Sequence, residues 1–542
     1  MTLQHMSDDT IVFVPLKGNA KAKKAGSTQE MSFHKRFGKA IASAESDSYL
    51  SMIKTEKTPH KFSKSRSSIA LTKGQTVVRN GATPEGFSPK EFKVSCGTLS
   101  ALINHLTSDC DVEFRTTFLL TYRGFTTPEY LLSALRERFR NANKEGDTIT
   151  KVHLRVVGAL KAWVENHWNS DFAENEGVRN TLQEFVSELD GPVWGARAKQ
   201  LQSTIERQAV SKIQSTVDKF PEVFHPTGEL STKFVPIGAF SAIEAARQIA
   251  IYAFHIYEKI SPSELLNQAW CTKEKEERSP NVLALIRFFN KLANFTSQNI
   301  IMHRTPADRV AALRWFISLS EELFKLNDIS SSLGVQGGLE STEVNRLSHT
   351  WKDIGEIWNI RWKQLTNMSQ SDKNHKMLRY HILQCAPPLV PFIGLFLKDL
   401  TFIEDGNATI LENGLINMEK CTMVSNIIQS IQQYQELGYH LHYETVPELQ
   451  EWIANWELID EEYLFQRSLL IEPRKLDWTS YGKLLEQYEE LNTEAPCPPK
   501  PIEEKKKILG GKESPKSRKK SKKSSKKGKY STLSQTTKPK KH

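Results

Sequence analysis

Cysteine is scarce in this 542-residue chain and never paired: Cys96, Cys110, Cys271, Cys385, Cys421 and Cys497 are scattered, with no CxxC. Such spacing excludes a disulfide framework and a zinc module, and reads as buried or idle thiols in a reducing compartment. Long apolar runs are also missing. The longest near the start, Ile11–Val14, is too short for a signal-peptide core or a membrane span, so a cytoplasmic protein is expected. Gly334, Gly337 and Gly338 cluster, but no Gly-Lys-Ser/Thr follows, which excludes a phosphate loop of the chain's own. No GxSxG or Cys/His nucleophile arrangement occurs. His440 and His442 form an HxH pair with no third ligand at metal spacing. No metal, no cofactor and no covalent chemistry are expected.

What is present is an ordinary soluble composition, 39% hydrophobic and 25% charged, in a chain long enough for about three domains. The net charge of +10 divides unevenly. Residues 505–542 carry +15 and residues 1–95 carry +8, which leaves −13 on the stretch between. An acidic body with basic, Ser-rich flanks is the arrangement this implies.

Residues 1–95 lack sustained periodicity and are expected to be disordered. From Cys96 to residue 212 the apolar spacing is helical: Leu99, Leu102, Ile103, Leu106; then Phe114, Phe118, Leu119, Tyr122. Thr127-Pro128 supplies an N-cap and a first-turn proline before Leu131, Leu132, Leu135 and Phe139. Leu154, Val157, Leu160, Val164 and Trp168 mark another helix, and Leu182, Phe185, Val186 and Leu189 one more. Residues 213–235, with Pro221, Pro226 and Gly228, read as a linker. A second, larger helical domain is expected over 236–474, with no buried sheet and at most a brief strand at His440–Tyr443. Residues 475–504 carry Leu476, Trp478, Tyr481, Leu484 and Leu485, one further docking helix, then a proline-rich joint. Residues 505–542 are expected to form a disordered polybasic tail. Both aromatic side chains and a base-reading module are missing from its core, Lys519–Lys529, which disfavours nucleic acid. A tail of this kind attracts acidic lipid at about 1 kcal/mol per charge, and nuclear targeting or nonspecific RNA binding compete with that reading.

The organising stretch is Pro387–Gln435, which reads as two helices folded back on each other. Pro391 suits a first helical turn, and Phe392, Leu395, Phe396, Leu400 and Ile403 form one apolar stripe. Gly406-Asn407 is a helix stop through the left-handed conformation. Val424, Ile427, Ile428, Ile431 and Tyr434 stripe the second helix. At about 100° per residue Thr401 and Asp405 face away from the first stripe, at the tip of the hairpin.

This stretch resembles the catalytic helical hairpin of Ras-type guanine-nucleotide exchange factors. The family signature is met by Pro388, Val390, Pro391, Phe392, Leu397, Asp399 and Leu400, with Leu389 where Cys or Thr is usual. GTLSALINHLTS and FRTTFLLTYRGFTTPEYLL are similar to the N-terminal exchange-motif (REM) domain that precedes such domains. Further matches are SPNVLALIRFFNKL and the closing YLFQRSLLIEPR, so the likeness covers most of residues 96–474.

The resemblance implies an all-α protein: a REM bundle packed on a larger RasGEF domain with a protruding hairpin. It implies an activity, the release of GDP from a Ras-subfamily GTPase, Ras or Rap foremost, at the cytoplasmic face of the plasma membrane. In the family the hairpin displaces switch I, and the matching wedge residues are Thr401 and Asp405. Switch II is anchored by an apolar pocket, matched by Ile286, Leu333 and Phe392, and by an arginine, matched by Arg287. Glu340 stands where the family has a GTPase-contacting asparagine, and a carboxylate cannot donate a hydrogen bond. Asp328-Ile329-Ser330 replaces an Asn-aromatic-Asn, and Asp405 is one methylene shorter than the usual glutamate. A non-catalytic GTPase-binding scaffold is the rival reading.

Overall fold

The computed structural model describes residues 9–15, 76–79, 92–108, 110–142, 151–189, 194–210, 220–227, 230–370 and 372–473. Most of the N-terminal stretch, the docking helix and joint expected over 475–504, and the 505–542 tail lie outside these residues. The architecture is all-α apart from one small sheet.

That sheet corrects the reading of residues 1–95. Strands β1 (Thr10–Pro15), β2 (Thr76–Arg79) and all but the last two residues of β3 (Phe92–Gly97) come from the stretch expected to be disordered, and β4 (Ile416–Asn417) comes from the middle of the hairpin. Their order is β2-β1-β3-β4, antiparallel throughout. The alternation in Ile11–Val14 explains the outcome. Ile11 and Phe13 enter the core of the N-terminal bundle, while Val12 packs with Cys96 and Leu415. A run of four apolar residues is too short to span lipid but long enough for a strand covered on both faces.

The bundle follows from well-signalled helices. Thr98 caps α1 (Leu99–Leu106) by accepting from Ala101 N, and Asp111 caps α2 (Val112–Thr121) by accepting from Phe114 N. Pro128 opens α3 (Pro128–Ala142), with Thr127 accepting from Tyr130 N. Next come α4 (Lys151–Asp171), α5 (Glu176–Glu188) and α6 (Gly195–Val210). On α4 the buried face is His153, Val156, Val157, Leu160, Trp163 and Val164, so Leu154 falls outside the stripe and is 40% exposed. Asp171 accepts from Tyr122 Oη, Trp163 Nε1 and Arg123 Nε, which ties the end of α4 to the turn after α2.

The larger domain is built from α7 (Ala242–Tyr257), α8 (Pro280–Ile301), α9 (Pro306–Lys325), α10 (Ile329–Leu339), α11 (Glu356–Ser369) and α12 (Asp372–Gln384). The hairpin helices α13 (Ile393–Gly406) and α14 (Met418–Gln432) follow, then α15 (Pro447–Ala454) and α16 (Glu461–Ile471). The glycine cluster has a packing role here. A Cβ on Gly338 would lie 2.3 Å from the Ala293 carbonyl oxygen, so α8 and α10 approach more closely than any larger residue allows. The described end of the expected linker is stitched to this domain: Val235 N donates to Asn299 Oδ1 and Gln298 Nε2 to Lys233 O. His440–Tyr443 contains no strand; Tyr439–Leu441 is a short 3-10 turn whose Tyr439 Oη reaches Leu326 O. Among the described residues no helix is long and apolar enough to cross a membrane, and no group of three or more His, Cys, Asp or Glu is placed to hold a metal.

Candidate functional site: a braced helical hairpin

The first hairpin helix buries Leu395, Leu400 and Ile403, with Phe396 partly buried and the N-cap residue Phe392 buried just before it, as amphipathic spacing requires. Its ends depart from expectation. The helix starts at Ile393, so Pro391 lies before the first turn. It stops at Gly406, but Asn407 is extended (φ −142°, ψ 121°) and not left-handed; the Asn407 amide instead donates to Ile403 O at 3.0 Å. A side-chain donor satisfies the last turn, so the backbone need not reverse. Tyr434 lies just beyond α14, buried, with its hydroxyl on Ile382 O.

Thr401 and Asp405 lie one turn apart on the outer face of α13. Thr401 is half-buried and its Oγ1 donates to Leu397 O at 2.9 Å, so its hydroxyl is engaged within the helix. Asp405 is exposed, and its Oδ1 accepts from Gln268 Nε2 at 3.0 Å. Beside it the Cys271 thiol is raised by burial, with the Lys275 charge opposing the rise and the Asp405 charge adding to it. Phe402, between the two, is 49% exposed.

Beneath this face the hairpin is clamped twice, by residues that sequence reasoning missed. Arg379 on α12 makes a two-pronged pair with Asp399 (2.7 and 3.0 Å) and also donates to Leu395 O. Nearer the tip, Lys420 of α14 reaches Glu404 of α13 at 2.5 Å and Thr409 Oγ1 at 2.7 Å, almost wholly buried. Asp399 stood in the signature, but nothing in the sequence named its partner. Lys420 lay in a helix whose apolar stripe gave no sign of a buried cation.

The N-terminal bundle braces the second helix. α2 and β3 pack on α14, β4 joins the sheet beside β3, and Ser95 Oγ donates to Glu419 Oε1 at 2.8 Å. Ile416, Met418 and Cys421 are members of the bundle's core. α14 is therefore covered while the outer face of α13 is open.

The expected switch II residues converge in part. Ile286 and Phe392 are buried in one core and Leu333 is packed against it. The link is Phe289, one turn beyond Ile286: its ring centroid lies 5.5 Å from that of Phe392, and its carbonyl faces Gly334, next to Leu333. Arg287 is exposed and pairs with Glu276 at 2.9 Å. Glu340 caps the end of α10, about 10 Å further along it than Leu333. Its surface is open, yet atoms packed around its carboxyl raise its pKa. Asp328 faces inward altogether. It caps α10 by accepting from Ser331 N, while Ser330 N and Val390 N bond across to Val390 O and Asn327 O, joining the start of α10 to the segment just before the hairpin.

The arrangement presents a helix, clamped on its inner side, with an exposed carboxylate at its tip. Residues 244–422 match the RasGEF domain family, and residues 93–185 match the RasGEF N-terminal motif. Ras guanine nucleotide exchange factor A of Dictyostelium discoideum is 31% identical over 70% of this chain and 66% of its own length. Factor P of the same organism is 30% identical over 71% of this chain and 26% of its own. The mouse Ras-specific guanine nucleotide-releasing factor 1 is 27% identical over 62% and 26%. The chain thus spans between about a quarter and two thirds of the length of these relatives.

Proposed function

Because the chain belongs to the RasGEF family, with the domain and its N-terminal motif in sequence, we propose that it is an exchange factor for a Ras-subfamily GTPase. The supporting observation is the asymmetry of the hairpin: α14 is locked into two cores, and α13 keeps Phe402 and Asp405 exposed with Thr401 half-buried beside them.

An exchange factor ejects nucleotide only if it binds the vacant GTPase better than the loaded one. A hairpin pinned at base and tip does not yield when it meets switch I, so the strain falls on the GTPase. Asp405 then places negative charge where the Mg²⁺ and phosphates sit, a repulsion of several kcal/mol in a partly desolvated cleft. The apolar floor of Ile286, Leu333, Phe289 and Phe392 holds an apolar side chain of switch II. Arg287 turns from Glu276 to an acidic residue of the partner, and releasing an exposed pair costs about 1 kcal/mol or less. The protein makes and breaks no covalent bond. It acts in the cytoplasm, drawn to an acidic membrane by residues 505–542, with Ras or Rap as its substrate.

Release of fluorescent GDP from a Ras, Rap and Ral panel tests this. Exchange on at least one member is expected, slowed at least tenfold by Asp405→Ala; an unchanged rate removes Asp405 from the mechanism. Glu340 favours a second reading, a scaffold that binds a GTPase without emptying it, because its carboxylate stands where an amide donor is usual. Binding without release across the whole panel decides for the scaffold.

A further inference from the structure

Two consecutive residues other than glycine, Asn267 and Gln268, both hold left-handed backbone (φ 51° each) in the loop facing the hairpin tip. Such conformations are disfavoured for L-residues and persist where the surroundings over-determine them. Here they do: Leu265 and Leu266 on one side and Ala269 and Trp270 on the other are all buried. The backward twist sends the two side chains to different destinations. Asn267 Nδ2 donates to Gly124 O at 3.1 Å, in the turn that Tyr122 and Arg123 lock onto Asp171. Gln268 Nε2 donates to Asp405 Oδ1.

We infer that Gln268 is a positioning residue for the Asp405 carboxylate, in a loop that Asn267 fastens to the N-terminal bundle. The inference rests on the exchange reading above and assigns the bundle a second line of contact to the hairpin tip, separate from its packing on α14. The chemistry suits the task. A neutral amide orients a carboxylate without cancelling its charge, as a lysine or arginine would. It engages one oxygen, and Oδ2 has no hydrogen-bond partner among the described residues. Asp405 is also short, so its aim matters more than that of a longer glutamate, which reaches by rotating about one more bond.

The test is nucleotide release by the full chain, titrated to saturation against the GTPase it best empties. Gln268→Ala is expected to lower the maximal rate about threefold to tenfold, the value of one hydrogen bond, and to leave half-saturation within twofold. In an Asp405→Ala background the same change costs nothing further. Asp405→Glu in the Gln268→Ala background recovers most of the lost rate. Asn267→Gly keeps the left-handed backbone but deletes the tie to Gly124, and gives a partial loss of the same kind. Additive losses in the double variant overturn the inference while leaving the exchange reading intact. So does a Gln268→Ala protein as fast as the parent, or one whose Tm falls with its rate and which Asp405→Glu fails to rescue. No release by the parent from any GTPase overturns both.

Discussion

At the scale of single residues, Asp328 is the clearest case of a polar group serving the scaffold. It is fully buried, and burial lifts its carboxyl from the usual range to about 7, against hydrogen bonds from Ser331 that lower it. The folded protein therefore keeps a proton that the unfolded chain gives up near pH 4. Stability falls as pH rises from about 4 to about 7 and is level above that. Asp328→Asn retains a capping side chain and removes the titration. It should be more stable than the parent by about 1–3 kcal/mol at pH 8 and little different at pH 4, in denaturant melts at both pH values. Gly338 makes the complementary point about volume. Its missing Cβ is what lets α10 meet the Ala293 carbonyl, so Gly338→Ala should cost about 1–3 kcal/mol and lower Tm. The sequence displayed the glycines, but only the packing partner says what they are for.

At the scale of elements, the hairpin is two amphipathic helices packed through one apolar core and joined near the tip by one ion pair, Lys420 with Glu404. Lys420 and Glu404 are both largely removed from water, so stranding either leaves a buried charge. Lys420→Met should destabilise the protein by about 3–5 kcal/mol, whereas Lys420→Met with Glu404→Leu should recover most of that, because apolar pairs replace buried ion pairs at small cost. Equilibrium unfolding of the two variants checks both. The stripe of α13 was legible because a 3.6-residue period needs only local sequence. Its clamps were not, since Arg379 and Lys420 are matched to Asp399 and Glu404 across 20 and 16 residues. The end at Gly406 was placed correctly and explained wrongly: the glycine suggested a left-handed cap, and the Asn407 side chain did the capping.

At the scale of the whole molecule, the sheet connects distant parts of the chain. β1 lies between β2 and β3, and β3 pairs with β4 inside the hairpin, so a strand near residue 12 helps to hold a loop near residue 416. Val12→Asp would place a charge between Cys96 and Leu415. We expect it to lower Tm, to speed amide hydrogen exchange at Ile416 and Asn417, and to reduce nucleotide release although residue 12 touches none of the wedge residues. Unchanged exchange at Ile416 would show that β4 holds its place without β1.

By itself the sequence determined the helices, their buried stripes and the outward placement of Thr401 and Asp405, because each depends on periodicity within a few turns. Its family motifs carried the rest of the functional reading. Tertiary structure alone decided which partners those residues meet: Gln268 on Asp405, Lys420 on Glu404, Phe289 between Ile286 and Phe392, and a strand drawn from a stretch that looked unstructured. Each of these is a pairing between segments far apart in the chain, set by how whole helices and strands pack, and no local pattern encodes it.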